Sequence, residues 1–459
     1  MTGRRRTWAV VAAALLVAAC SDGGGAAAPS TERTPADTTS ATTSSTIPVA
    51  TTTTLPETYV LQAGDSPSLL ADRFGLTVAQ LDEYNAGNPG YDDFLVGATI
   101  RLVAPPTTTL PSTTSTTLAP TTTVAPTLGK VTMSFTGDVL AHRIINRAAL
   151  QPDGSYDYSS MFTNITPLVS AADIAVCHLE APIAPPGQEV MVEPQRISSA
   201  ASITNALAGA GFDRCSTASN HSVDRGAAGV DATVAAFDAA GMGQSGVATS
   251  EATRLPAIMT VNGVKVAHLA YSYGFDGTPL PAGEPWRANV IDPALIIADA
   301  TAVRALGAEV VVVSLHWGAS MVSNPTADQM RVAEAVTASG QVNLIVGHHS
   351  HVIQPISQVN GVWVVWGMSN FLSALPTSDK WPPKSQDGVV VSVQFNRADD
   401  GSIVVAKPTV QSTWCDKIHG YIVRSTAEQN DPNLPADVRE QLRISEARTR
   451  EVLGEFMAA

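Results

Sequence analysis

From residue 131 onward the chain alternates short β-branched apolar runs with alanine-rich segments, and the apolar runs keep ending in polar clusters. The runs 131–136, 173–178, 212–216, 264–271, 309–315, 342–346, 362–367, 388–395 and 403–410 are read as strands. The segments 198–210, 227–240, 292–306 and 325–339 have helical spacing, and the last should bury Met330, Ala333, Val336 and Thr337. Strand–helix alternation demands helices layered on sheets, an α/β fold. In such folds ligands gather beyond the carboxyl ends of strands. The polar clusters fall there: Gly137-Asp138, His178-Leu179-Glu180, Ser219-Asn220-His221, His316-Trp317-Gly318 and Gly347-His348-His349-Ser350-His351.

Asp, Glu, Asn and His converging from five strand ends are the ingredients of a metal site, since imidazole and carboxylate both suit Mn, Fe or Zn. A lone histidine after a strand is more often a hydrogen-bonded core residue. His349 and His351, joined by His316 and by Asn220-His221, reverse that preference. On an extended segment His349 and His351 would share one face, because side chains alternate with period two. Trp317 is expected to wall the pocket, Trp363 and Trp366 to sit in core strands, and Asp224 and Gly226 to shape the turn after His221. Ser369-Asn370-Phe371 is placed beside the cleft, and Arg196 in a nearby loop or on the surface. Cys177 and Cys215 lie near two of these strand ends, where a disulfide and two buried thiols are both open readings.

The first 130 residues say where such chemistry would operate. Arg4-Arg5-Arg6 precedes a short apolar stretch that ends Val17-Ala18-Ala19-Cys20. The stretch is too short for a stable membrane span. Small residues before a cysteine resemble a bacterial lipobox, which implies a signal over 1–20 and lipidation of Cys20 at the outer face of the membrane. Residues 21–56 and 105–128 are Thr, Ser, Pro and Ala tracts with little to bury, read as a tether and a linker. Between them, 57–104 carries the order strand, helix, helix, strand. Its pieces YVLQAGDSPSLLADRFGLTVAQLDEYN and LVGATIRL resemble a LysM module, which implies binding to peptidoglycan. A net charge of -14 argues against a nucleic-acid partner.

The segments SFTGDVL, ADIAVCHLEAPI, GFDRCSTASNHSVDRGAAG, VVVSLHWG, NLIVGHHSHVIQPI and VVWGMSNF, in this order, resemble the capsule-synthesis CapA family of the calcineurin-like metallophosphoesterase superfamily. The resemblance implies a four-layer αββα sandwich over 129–425, followed by a C-terminal helical tail over 426–459. It implies one or two divalent metal ions, with Asp138 and His351 at the first, Glu180 bridging, and Asn220, His316 and His349 at the second. His221 would protonate the leaving group. The superfamily's Asp-x-His reads Asp138-Val139-Leu140 here, so His142 and His178 are the candidate replacements for the missing ligand. The implied substrate is an anionic surface polymer such as poly-γ-glutamate. The competing reading is a non-catalytic surface protein that binds peptidoglycan and polymer.

Lipidation is testable on its own. Cys20→Ala should shift the protein from the membrane fraction to the soluble one or block its processing. Fractionation and the mass of the mature N-terminus read the outcome, and unchanged membrane retention with an unmodified N-terminus would refute it.

Overall fold

The computed structural model describes residues 56–62, 70, 73–76, 80–81, 84–85, 98–103, 127–190, 196–375 and 382–457. The signal, Cys20, the tether and most of the Thr/Pro linker lie outside the described residues. In the segment read as LysM, β1 (Thr58–Val60) pairs antiparallel with β2 (Thr99–Arg101). Leu61, Leu70, Leu81, Ile100 and Leu102 form a small core there. The Asn85 side chain locks the end of β2 by accepting from Arg101 N at 2.6 Å and donating to Arg101 O at 2.8 Å.

The remaining strands form two sheets. They are β3 (Thr127–Val139), β4 (Ile174–Leu179), β5 (Arg214–Ser216), β6 (Gly243–Ser245), β7 (Met259–Val261), β8 (Val264–Ser272), β9 (Val310–His316), β10 (Leu344–His348), β11 (Ile356–Val359), β12 (Val362–Val365), β13 (Asn370–Leu372), β14 (Asp387–Ala398), β15 (Ile403–Val405), β16 (Thr409–Asp416) and β17 (Ile422–Ser425). The first sheet runs β17-β16-β14-β3-β4-β5-β6, with β13 beside β3 and β15 beside β14; the second runs β11-β12-β10-β9-β8-β7. Strands β3, β4, β5 and β6 are mutually parallel, as are β8, β9, β10 and β12.

Alternation along each strand assigns its two faces. Val131, Met133, Phe135, Ile174 and Val176 of the first sheet meet Val264, Val310, Val312, Leu344 and Val346 of the second in one inter-sheet core. Residues of the other parity face helices. Cys177, Cys215 and Val139 pack with Ile203 and Leu207 of helix Ser202–Gly209 and Phe237 of helix Gly226–Ala240. Val311, Val313 and Ile345 pack with Ile296 of helix Pro293–Ala305 and Val332 of helix Ala327–Ala338. The layers are therefore helix, sheet, sheet, helix: the αββα sandwich expected from the sequence.

Several local expectations need correction. In helix Ala327–Ala338 the buried residues include Gln329, Val332, Ala333, Val336 and Thr337, while Met330 is half exposed. The stripe is displaced because Gln329 turns inward, where its Nε2 donates to Gln354 Oε1 at 2.9 Å. Trp317, expected to wall the site, packs on the helix side instead. It is buried in the helix-side core, stacks on Trp366 and donates Nε1 to Trp366 O at 3.0 Å. The run 403–410 is two strands, because Pro408 lacks the N–H a ladder needs. Helix Arg143–Ala149 had no clear sequence signal. Beyond β17, helix Ala436–Leu453 lays Val438 and Leu442 against Trp414 of β16.

Cys177 and Cys215 are direct partners in the β4–β5 ladder and are joined by a disulfide. Cys415 is a free, buried thiol.

Gly347 marks where the second sheet tolerates no side chain. A Cβ there would stand 1.9 Å from Trp366 O and 2.5 Å from Trp317 Nε1, whereas a Cβ on Gly209 meets nothing within 4 Å. Gly347→Ala should destabilise the large domain by about 1–3 kcal/mol. Gly209→Ala, at a helix end, should be neutral or slightly stabilising. Thermal and urea unfolding of both variants checks the contrast; equal midpoints would refute it.

Candidate metal centre

Strand register brings the site together. In the second sheet His348 pairs with His316, and Ser272 pairs with His316 from the other side. In the first, Asp138 pairs with His178 and with Asn370, and His178 pairs with Ser216. His178, His316 and His348 have the parity of the residues that fill the inter-sheet core, so they continue that layer where it opens at the strand ends. Asp138 reaches it differently. The β3–β4 register shifts between Phe135 and Asp138, leaving one extra residue in β3. This bulge re-aims Asp138 inward. Gly137 permits it, since a Cβ there would lie 2.2 Å from Ser369 O.

Asp138 is fully buried at the centre. Its Oδ1 lies 3.2 Å from His348 Nδ1 and 4.0 Å from His178 Nε2. Its Oδ2 lies 3.3 Å from His351 Nδ1 and accepts from His349 N at 3.2 Å. Among the described residues, two groups of donor atoms are compact enough to hold an ion: Asp138 with His178 and His348, and Asp138 with Glu180 and His351. Asp138 is common to both, whereas the sequence reading gave the bridging place to Glu180. Glu180 sits one residue beyond β4 and reaches only the second group, 3.8 Å from His351 Nε2.

The other expected residues adjoin these groups. His316 Nδ1 lies 3.0 Å from His178 Nε2, and His316 Nε2 lies 2.9 Å from Asn220 Oδ1. The His349 ring centroid is 4.7 Å from that of His316 and 5.8 Å from that of His351. The expected extended course through His349-Ser350-His351 is not found. His349 has φ 80° and His351 φ 51°, so the backbone coils just after β10 and the two rings are placed by loop geometry. His142 precedes helix Arg143–Ala149 and belongs to neither donor group. His221 stands at the rim with its side chain 17% exposed. Its Nδ1 bonds Asp224 Oδ2 at 2.8 Å, and the same oxygen accepts from Ile197 N.

Electrostatics follow from burial. Burial pushes the Asp138 carboxyl upward, but bonds to His348 and His351 and the nearby His178 outweigh it and hold it well below the usual carboxylate range. Burial drives His178 and His316 well below the usual imidazole range and His349 to about 3. These rings are therefore neutral and keep lone pairs. Burial raises Glu180 to about 7. His351 is raised to about 9, because Glu180 and Asp138 overcome its burial. Burial lowers His221, yet Asp224 and Glu180 more than compensate and raise it overall.

The donor set fits a divalent metal. Glu180 Oε2 and His349 Nδ1 are buried with no hydrogen-bond partner among the described residues. Orphaned polar atoms of this kind are costly without a ligand. An ionised aspartate, a second carboxylate and several neutral imidazoles form a mixed O/N set of the kind such ions take.

Sequence reasoning passed over four contributors. His348 was noted only within its motif, although it continues the Leu344–Val346 parity. Asp276 accepts from Asn220 Nδ2 at 2.8 Å and from Tyr273 OH at 2.8 Å, and the Tyr273 ring lies 4.7 Å from His349. That loop follows β8 directly, but its carboxylate stands four residues beyond the strand, after Tyr273, Gly274 and Phe275. Asn370, placed only beside the cleft, bonds His351 Nδ1 at 2.9 Å through Oδ1 and donates to Ser385 O at 2.8 Å. It fixes that ring as metal-site partners commonly do.

Comparison with known proteins bears on the same residues. The model of the family described as bacterial capsule synthesis protein PGA_cap matches residues 132–375. The PGA biosynthesis protein CapA of Bacillus subtilis (strain 168) is 26% identical over 292 residues, 59% of this chain and 70% of that protein. The capsule biosynthesis protein CapA of Bacillus anthracis is 25% identical over 287 residues, 60% of this chain and 66% of that protein. Among solved structures, the NAD nucleotidase NadN of Haemophilus influenzae overlays with a TM-score of 0.41 at 12% identity, over 71% of this chain and 57% of that one. The calcineurin-like phosphoesterase YfkN from Bacillus subtilis gives 0.40 at 15% identity, over 71% and 99%. The family match spans more than half of the sequence and contains every donor of the metal centre, and the chain belongs to the bacterial capsule synthesis protein family PGA_cap.

Proposed function

We propose that this chain is a metal-dependent hydrolase acting on a capsule or related cell-surface polymer, poly-γ-glutamate being the leading substrate. The observation that carries the reading is the buried Asp138 shared by two carboxylate–imidazole groups. A protein that only bound polymer would have no need to bury such a cluster and leave Glu180 Oε2 and His349 Nδ1 orphaned. In this reading Asp138, His178 and His348 hold one cation, and Asp138, Glu180 and His351 a second. Asn220, His316 and His349 lie against the first group and close it. A divalent cation bound there supplies Lewis acidity, polarising an electrophile and making water more acidic.

The protein's own groups do the rest. Asp138 brings a fixed negative charge. The neutral imidazoles keep their lone pairs because burial disfavours the imidazolium. His221 is the general acid. Its Nδ1 is engaged by Asp224, which leaves Nε2 free to carry a proton toward a leaving group, and the raised affinity of His221 for protons suits that role. Its partial exposure lets it meet a substrate arriving from solvent. Lipidation at Cys20 and the LysM-like segment 57–104 would hold the enzyme between membrane and peptidoglycan, where such a polymer emerges.

Two variants separate the roles. Asp138→Asn should lose both cations, and elemental analysis of the purified chain should show metal content falling by about tenfold or more. Full metal retention would remove Asp138 from the centre. His221→Ala should keep its metal and lose about 10²–10⁴ in turnover. Turnover is measured on whichever substrate a screen of γ-glutamyl amides and phosphoesters identifies. Unimpaired turnover would end the general-acid role, and a metal-loaded wild type inactive across the screen would favour polymer binding without catalysis.

A further inference from the structure

Two residues beyond His351, Ile353 forms part of the wall of a cavity of about 230 Å³ that no metal donor lines. Ser323 enters it from the loop after β9, Lys384 from the short helix Pro383–Gln386 and Asp387 from the start of β14. Arg448 and Glu451 come from the last turns of helix Ala436–Leu453. These four charged residues lie beyond residue 375, where the family match ends, so the family resemblance assigns them no role.

The charges of the cavity do not cancel internally. The Asp387 carboxylate is buried and already taken: its Oδ2 accepts from Arg448 Nε at 2.6 Å and its Oδ1 from Arg448 Nη2 at 2.5 Å. This fork fixes the guanidinium and leaves Arg448 Nη1 with no acceptor among the described residues. Lys384 is half-buried and donates Nζ to Ser323 Oγ at 2.5 Å. An ammonium has further N–H groups to give, and among the described residues Lys384 has no carboxylate partner. Glu451 is the one opposing charge, and it is exposed to solvent rather than paired. A cation partly withdrawn from water and left without an anion is costly, and an anionic ligand offsets that cost.

We propose that this cavity is a binding site for a small tetrahedral oxyanion, phosphate or sulfate in chemical class, held by Lys384, Arg448 and Ser323. Its volume falls below the roughly 300–1,000 Å³ of pockets that enclose larger organic ligands. The donors come from three separate elements and approach from different directions. A tetrahedral ion offers oxygens to all of them, whereas a carboxylate offers two in one plane and is matched by a single fork. The site also shares its wall with the support of a metal donor. Ser385, between Lys384 and Asp387, accepts from Asn370 Nδ2 at 2.8 Å, and Asn370 Oδ1 bonds His351 Nδ1 at 2.9 Å.

The test is equilibrium dialysis of the full chain against labelled inorganic phosphate at fixed ionic strength, with acetate and glycerol 3-phosphate as competitors. Wild type should bind phosphate saturably, and acetate should compete about tenfold more weakly. Lys384→Met should weaken phosphate binding about tenfold, and Lys384→Arg should restore most of it. Glu451→Gln removes the opposing charge at an exposed position and should tighten binding about threefold, which reads the cavity even if Lys384→Met does not fold. Asp138→Asn separates this site from any phosphate held by metal: in the folded variant the saturable phosphate should remain, with the same dependence on Lys384 and Glu451. Competition by glycerol 3-phosphate equal to that of phosphate would support the site and admit phosphate monoesters to it; no competition would support it as a site for the free ion. No saturable binding, loss of that binding in folded Asp138→Asn, acetate competing as well as phosphate, or an affinity unmoved by Lys384→Met and Glu451→Gln would each overturn the proposal. Neither metal content nor turnover enters these measurements, so this site and the hydrolase reading stand or fall separately.

Discussion

The structure is organised around one buried negative charge. Asp138 is removed from water, and a carboxylate there is tolerable only if cations or strong donors surround it. His348 and His351 approach its two oxygens, the His349 amide donates to one of them, and His178 closes from the neighbouring strand. The bulge in β3 and the absence of a side chain at Gly137 exist at the point where this charge must turn inward. The remaining donors take their places relative to that carboxylate, from two sheets that share no ladder.

The sandwich supplies rigidity for this purpose. Valine-rich parallel strands bury both faces, one against the partner sheet and one against helices. Strand ends packed in this way have little freedom, so side chains that emerge from them are pre-positioned. The disulfide between Cys177 and Cys215 ties β4 to β5 one residue before His178 and Ser216, whose side chains bond at 2.6 Å. That link acts on the helix-facing parity while the site occupies the other, so the staple fixes the strands without entering the centre.

Much of this was legible in the sequence, and the gaps have physical causes. An α/β fold followed from apolar runs and helical spacing, the four layers from the family resemblance, and the clustering of polar residues at strand ends identified the site. Parity was also available. Val310, Val312 and His316 lie on one face of β9, and Leu344, Val346 and His348 on one face of β10, so His348 could have been chosen before His349. Parity fails at Asp138, because a bulge adds a residue and no sequence rule announces it. It fails again after β10, where His349 and His351 take positive φ and leave the strand pattern. Trp317 follows a donor histidine but turns to the helix side, which neighbourhood in sequence does not reveal. Asp276 stands four residues beyond β8, where strand parity no longer says which way a side chain points.

The donors also lie far apart along the chain: Asp138 and His348, in contact in space, are separated by 210 residues. Each donor group draws on both sheets, Asp138, His178 and Glu180 from the first and His348 and His351 from the end of β10 in the second, so the complete groups exist only once both sheets have closed on each other. Such long-range closure comes late in folding. An emerging or half-folded chain therefore offers cations only part of each group, such as His348, His349 and His351 without the carboxylates of Asp138 and Glu180. In the proposed reading, metal selection falls to the last step of assembly, and the centre samples the ions present where the two sheets close.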